Sequence, residues 1–196
     1  MTNRGSVQHF LIPEAGNMPN NTALPLILYK GVVEFGDEEP EKVLQDLIAS
    51  HQWGNGWVVE SIYHFHHFHS CAHEVVAFAR GKGTIQFGGP DGPIVEVEAG
   101  DAAVIPAGVG HKRLDDAPGF SVVGAYPPDQ KLEDVCVISE EDIAKARSEN
   151  ADADGCAIRL FGKDERGALR ARIAGTALPP TDPLLGLDGP VMSLWR

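Results

Sequence analysis

Between Tyr63 and Glu74 the chain reads YHFHHFHSCAHE, so His64, His66, His67, His69 and His73 crowd into twelve residues. Neutral imidazole is the commonest metal ligand near neutral pH, because one ring nitrogen carries a free lone pair. Two such rings on one face of an extended chain bring two lone pairs to one place, since alternate residues of a strand share a face. If residues 57–69 form a strand, one face carries Trp57, Val59, Ser61, Tyr63, Phe65, His67 and His69. The other carries Val58, Glu60, Ile62, His64, His66 and Phe68. The first face is mainly apolar until two histidines close it, the pattern of a barrel interior with a site at its mouth. The second face, with Glu60, His64 and His66, is expected to meet solvent or a partner. A histidine-rich surface strand is the alternative that two histidines alone do not exclude.

The elements around this segment decide how it is held. Short β-rich runs bounded by Gly, Pro or Asp recur at 57–69, 74–80, 83–87, 94–98, 102–105, 111–114 and 120–126. That spacing predicts an all-β sandwich or barrel rather than alternating βα units. A short strand is expected at Leu24 to Tyr29. Residues 38–51 predict an amphipathic helix, with Val43, Leu44, Leu47 and Ile48 on one face and Pro40 at its start. Beyond Pro127, Ser139 to Arg147 predicts a helix capped by Ser139, residues 148–155 a surface loop, and Asp164 to Ala174 a helix ended by Gly175. The tail from Thr176 mixes Pro and Gly with Leu, Val, Met and Trp, too apolar for a disordered end. It is expected to pack in extended form on the barrel or on a second subunit, which favours a homodimer.

Bulk properties narrow the function classes. The 196 residues suit one domain and 43% are hydrophobic. A formal net charge of −12 argues against nucleic acid as a partner. No apolar run reaches the roughly 18 residues of a membrane helix, and the N-terminus lacks an apolar leader, so the cytoplasm is the expected compartment. Cys71, Cys136 and Cys156 have no disulfide-framework spacing.

Two motifs bring a resemblance. His67-Phe68-His69, four residues, Glu74, six residues, Gly81 is similar to the first cupin motif, and Gly100-DAAVI-Pro106-Ala107-Gly108-VG-His111 is similar to the second. PNNTALPLILYKG, HHFHSCAHEV, EVEAGDAAVIPAGVGHKRL, VVGAYP and LPPTDPLLGLDGP extend the likeness to the YjlB-like single-domain cupins, over roughly residues 19–126 and 173–195. The segment at about 131–170 looks longer than is usual there. Ser61 stands where the first motif often has Gly, and Asp115 where the second ends in Asn.

The resemblance implies an all-β cupin double-stranded β-helix (jelly-roll) barrel with a few peripheral helices. It would occupy residues 1–196 as one domain, with a barrel core at about 57–126. An N-terminal strand and helix extension would span 1–56, and a C-terminal helical segment and extended tail 127–196. It implies one divalent transition-metal ion, Fe, Mn, Ni, Co or Zn, on His67, His69, Glu74 and His111. Glu74 rather than His73 is selected by the step to Gly81, which leaves His73 as a surface or turn residue. Cys71 is read as a partly buried inert thiol rather than a ligand. Alternation makes Val76, Phe78, Arg80, Arg113 and Tyr126 further pocket candidates. Arg80 and Arg113 are read first as solvated strand-end charges, and otherwise as holders of a substrate carboxylate. The function expected is a metal-dependent enzyme, of oxygenase or isomerase type, on a small polar molecule. The alternatives are a non-catalytic metal- or small-ligand-binding or sensing protein, and a purely structural metal.

Overall fold

Strand β4 (Glu74–Arg80) shows why the fold needs two layers beyond its own sheet. Its residues Val75, Ala77 and Ala79 belong to one apolar cluster, and Val76 and Phe78 to another. The same division runs through β2 (Leu26–Lys30), β7 (Ala102–Ile105) and β9 (Ser121–Tyr126). A sheet buried on both faces reads as a continuous apolar run, not as strict alternation. In the computed structural model, which describes residues 5–151 and 156–196, each face has its own cover.

The larger sheet has six strands in the order β1-β2-β7-β4-β9-β3, where β1 is Ser6–Phe10 and β3 is Gly54–Val59, and its pairs are antiparallel. Its outer face is covered by α1 (Pro40–Ser50) through Leu44 and Ile48, and by Trp53, Leu184, Val191 and Trp195. Its inner face meets a three-stranded antiparallel sheet, β6-β5-β8, made of β5 (Lys82–Phe87), β6 (Ile94–Glu98) and β8 (His111–Asp116). Ile85, Phe87, Val97 and Phe120 fill the space between. This mostly β, antiparallel arrangement is the jelly roll that the two motifs imply.

The motif glycines set the corners. Gly100 and Gly108 have φ of +92° and +90°, a region that L side chains rarely adopt. A Cβ at Gly108 would also lie 2.7 Å from the Asn20 carbonyl oxygen, so the loop before His111 closes only with glycine.

Three expectations change. The strand read at 57–69 ends at Val59, and residues 60–73 are irregular, with single bridges at His67 and Phe68. Residues 134–160 are not purely helical and looped: β10 (Asp134–Val137) and β11 (Ala157–Leu160) form a parallel pair. Parallel neighbours need a crossover, and α2 (Glu140–Ser148), N-capped by the Ser139 side chain, supplies it. The tail is not simply extended; it ends in the short helix α4 (Val191–Leu194). The helix read at 164–174 begins with a 3-10 turn and becomes α3 (Arg166–Ala174). Of the expected loop at 148–155, residues 152–155 lie outside the described residues. Among the described residues no helix is long and apolar enough to cross a membrane.

The tail is fastened by one buried carboxylate. Asp182 accepts hydrogen bonds from the backbone N–H groups of Leu184 and Leu185 at 2.9 and 3.0 Å, from Val191 at 3.2 Å, and from the Tyr29 hydroxyl on β2. Its replacement by Ala leaves buried donors unpaired, each worth about 1–3 kcal/mol. Asp182→Ala should therefore lower unfolding stability by roughly 3–5 kcal/mol in urea denaturation. Asp182→Asn, which keeps one acceptor oxygen, should lie between the two.

Candidate metal centre

His67 and His69 share a direction because their backbone is pinned on both sides. The His67 N–H donates to the His111 carbonyl at 3.2 Å and the His111 N–H returns to the His67 carbonyl at 2.8 Å. Phe68 and Cys136 exchange the same pair of bonds at 3.0 and 2.9 Å, and the Gly108 N–H donates to the His69 carbonyl at 2.8 Å. Phe68 points away into a cluster with Met18, Ala107 and Leu169. Strand parity thus holds over these three residues although the long strand does not exist.

The three rings are oriented by carbonyl groups. Nδ1 of His67 lies 3.2 Å from the Phe65 carbonyl, Nδ1 of His69 lies 2.8 Å from the Asp134 carbonyl, and Nδ1 of His111 lies 3.2 Å from the Val109 carbonyl. A carbonyl only accepts, so each Nδ1 carries a proton, and in the neutral ring Nε2 is then the atom that presents a lone pair. The ligand atoms of His67, His69 and His111 lie within 4.8 Å of one another, and all three residues are buried. These three histidines can hold a metal ion.

Glu74 joins them from the start of β4. Its Oε2 lies 3.5 Å from Nε2 of His69 and 3.3 Å from Nε2 of His111. It is nonetheless a buried oxygen without a hydrogen-bond partner. Two ligand atoms about 2.1 Å from one ion at tetrahedral or octahedral angles stand roughly 3.0–3.4 Å apart. The residues present fit a cation: a buried carboxylate oxygen faces the Nε2 atoms of His69 and His111 at the spacing of two ligands on one ion. Oε1 accepts from the Tyr126 hydroxyl at 3.1 Å, and Trp57 Nε1 donates to that hydroxyl oxygen at 3.0 Å.

Charge states agree with this arrangement. Burial, then the neighbouring His111 and His69, hold His67 far below the ordinary imidazole range, so it stays neutral. Burial alone would raise Glu74, but His69 and His111 outweigh it and keep the carboxyl ionised. His69 is the exception: burial opposes its charge, yet Glu74 and then the Asp134 carbonyl raise it, so an ion binding there must displace a proton. Burial raises Tyr126, then Glu74 adds to it, so the phenol remains a donor.

A cavity of about 570 Å³ opens on these groups, lined among others by Trp57, Ile62, Tyr63, Val76, Tyr126 and Leu132. Ser61 also lines it and hydrogen-bonds Asp116. Val76 and Tyr126 therefore reach the site as alternation predicts. Phe78 lies in the inter-sheet core. Arg80 pairs with Glu39 and Glu41 on the surface, and Arg113 bonds the Ile62 carbonyl and Asp116, so neither lines the cavity. Burial raises the half-buried Cys71 thiol, as an inert thiol requires.

Two histidines depart from expectation. His66 is 6% exposed rather than on an outer face, because the irregular backbone before it breaks the parity. Burial, then the charge of Lys112, lower it to about 4. His73 is 0% exposed rather than a surface residue. Its Nδ1 accepts the Ala107 N–H at 3.0 Å and its ring lies 4.7 Å from that of Trp195. It therefore ties the start of β4 to the second-motif loop and the tail. His64 is exposed and pairs with Glu149.

Sequence reasoning missed the residues that hold the ligands. Ser70 donates from its backbone N–H and hydroxyl to the Asp134 carboxylate at 2.9 and 2.5 Å, beside the carbonyl that orients His69. Asn20 accepts the Gly110 N–H at 3.1 Å, and Asn21 donates to the Ala107 carbonyl at 3.0 Å. The paired asparagines are a local signal for such loop bracing. Asp134, beyond the barrel strands, offers none.

No protein-family model matches the chain. It is 31% identical over 188 residues to the uncharacterised protein YjlB of Bacillus subtilis (strain 168), covering 96% of each. Among solved structures it is similar to acireductone dioxygenase from Bacillus anthracis, with a cadmium ion in its active centre. That likeness has 23% identity and a TM-score of 0.31 and covers 43% of this chain and 56% of that one. A cupin protein from Bacteroides fragilis is 22% identical, with a TM-score of 0.28, over 39% of this chain and 65% of that one. Neither structural likeness bears on the reaction.

Two outcomes follow. Tyr126→Phe removes the donor to Glu74 Oε1, and should weaken Co(II) affinity about 10–100-fold in competition with a chromophoric chelator. The second concerns acid stability. Burial lowers the folded pKa of His73 to about 4. The unfolded chain then binds this proton first as pH falls, so stability is lost between the ordinary imidazole value of 6.5 and about 4. The full loss is about 3 kcal/mol at 1.36 kcal/mol per pH unit. In chelator-treated protein, His73→Asn, whose amide oxygen can accept the Ala107 N–H, should flatten the stability–pH curve by that amount.

Proposed function

The chain belongs to the cupin family of the Bacillus subtilis protein YjlB, and from that premise we propose that His67, His69, Glu74 and His111 bind one divalent transition-metal ion in a metal-dependent enzyme. The observation that carries this reading is the cluster of the three carbonyl-oriented histidines His67, His69 and His111, with Oε2 of Glu74 3.5 and 3.3 Å from the Nε2 atoms of His69 and His111, at a cavity. When bound, such an ion supplies Lewis acidity, or one-electron chemistry if it is redox-active.

The protein's own groups define the rest. Four protein ligands leave one or two positions for a small molecule on an ion that takes five or six. Glu74 lowers the site's net charge, and Tyr126 with Trp57 fixes which of its oxygens faces the histidines. The neutral Tyr126 hydroxyl lines the cavity and can donate to a developing oxyanion. The apolar walls keep water from competing with the bound molecule. An oxygenase or an isomerase fits this arrangement.

Metal content is the first test. Protein made with ample Fe, Mn, Ni, Co and Zn should retain about one ion per chain by elemental analysis, and His67→Ala or His111→Ala should lose it. Anaerobically Fe(II)-loaded protein is then screened for oxygen consumption, and Zn(II)- or Mn(II)-loaded protein for solvent deuterium exchange into carbonyl substrates. Retained metal without turnover in either screen supports a binding or sensing protein instead. Absence of metal, with unchanged stability in His67→Ala, overturns the site.

A further inference from the structure

The cavity's lining points to the class of molecule it takes. This inference rests on the metal reading of its floor. Trp57, Ile62, Tyr63, Val76 and Leu132 make walls that are apolar or aromatic, which suits an apolar body rather than the small polar molecule that the fold family implies. Polar groups lie at the floor, in the ligand set, and at the rim, where Asn55 and Lys131 stand. Lys131 and Asn55 are exposed and also line the adjoining surface depression, where Asp129 and Glu133 stand outside the cavity.

The charge balance of this lining is unlike that of the rest of the chain. The whole chain carries 28 acidic and 16 basic residues. Among the described lining residues Glu74 is the only carboxylate and Lys131 the only lysine or arginine. Metal-ligating histidines are neutral, so with a divalent ion bound the described lining carries about +2. Lys131, like Lys112, forms no ion pair among the described residues, whereas Lys30, Lys42, Lys82 and Lys145 each do. A cationic recess in an acidic protein attracts anions from solution and stabilises them once bound.

We propose that the ligand is an anion with an apolar or aromatic body, a carboxylate or a phosphate, whose negative group pairs with Lys131 while its body lies along Trp57, Ile62 and Leu132.

The test uses Zn(II)-loaded full-length protein and calorimetric titration with 3-phenylpropionate, 3-phenylpropyl phosphate, 3-phenylpropan-1-ol, 3-phenylpropylamine and acetate. At least one aromatic anion should bind about tenfold or more tightly than the alcohol, the amine and acetate. The tighter of the two anions separates a carboxylate from a phosphate. Lys131→Glu should weaken the anion about tenfold or more and leave the alcohol unchanged. Lys42→Glu, an equal change of net charge on α1, should leave both unchanged. Equal binding of anion and alcohol, equal effects of the two lysine variants, or no anion binding at millimolar concentration overturns the proposal. The same titration of His111→Ala separates it from the metal reading. Lys131 dependence surviving in a protein that never held metal keeps the ligand class while the metal centre fails. Retained metal without Lys131 dependence removes the ligand class alone.

Discussion

The mutual backbone bridge between His67 and His111 is the contact on which the site depends. It joins two motifs more than 40 residues apart and belongs to neither sheet's ladder. Because both bonds are between main-chain groups, they set the separation of the two rings whatever the side chains are. The bonds from Gly108 to His69 and between Phe68 and Cys136 then remove the remaining freedom of the tripeptide. Glycine at 108 is a condition of this geometry, since a side chain there would strike the Asn20 carbonyl. The jelly roll acts as the frame that delivers these few main-chain groups to one another.

The elements outside the barrel strands are part of the site. β10 supplies the carbonyl that orients His69 and the partner strand for Phe68. Leu132, Ala151 and Cys156, which flank β10, α2 and β11, complete the cavity wall. The outer layer of α1 and the tail acts at one remove. It buries the face of β4 opposite Glu74 and places Trp195 against His73.

What could be read in the sequence was whatever depends on local geometry. Alternation favours His67 and His69, and the likeness of the two motifs to the cupin pattern, whose steps match a strand start and glycine corners, implies Glu74 and His111 as the other two candidate ligands. The helix faces at Leu44 and Ile48 and the Ser139 cap are local in the same sense. His66 and His73 were misjudged because their burial is decided by groups distant in the chain: Ala107 and Trp195 for His73, and the broken register for His66. The parallel pair β10–β11 has no hairpin signal, since its two four-residue strands meet only through a helix. Its residues DVCV and AIRL show no alternation long enough to register as strands.

The fastening of the tail bears on the order in which the molecule assembles. Trp195 donates to the Pro25 carbonyl across 170 positions, and Trp53 to Thr181 across 128. His69 waits on a group 65 positions away. Loop-closure entropy must be spent on such contacts before they return anything, which makes them late and slow events of folding. Early collapsed forms would hold a histidine-rich segment whose rings are free to turn. Such a segment binds metal loosely and without discrimination. Any preference of the finished site among ions would therefore arise only with the last closures, and a half-folded chain would present a different metal chemistry from the finished protein.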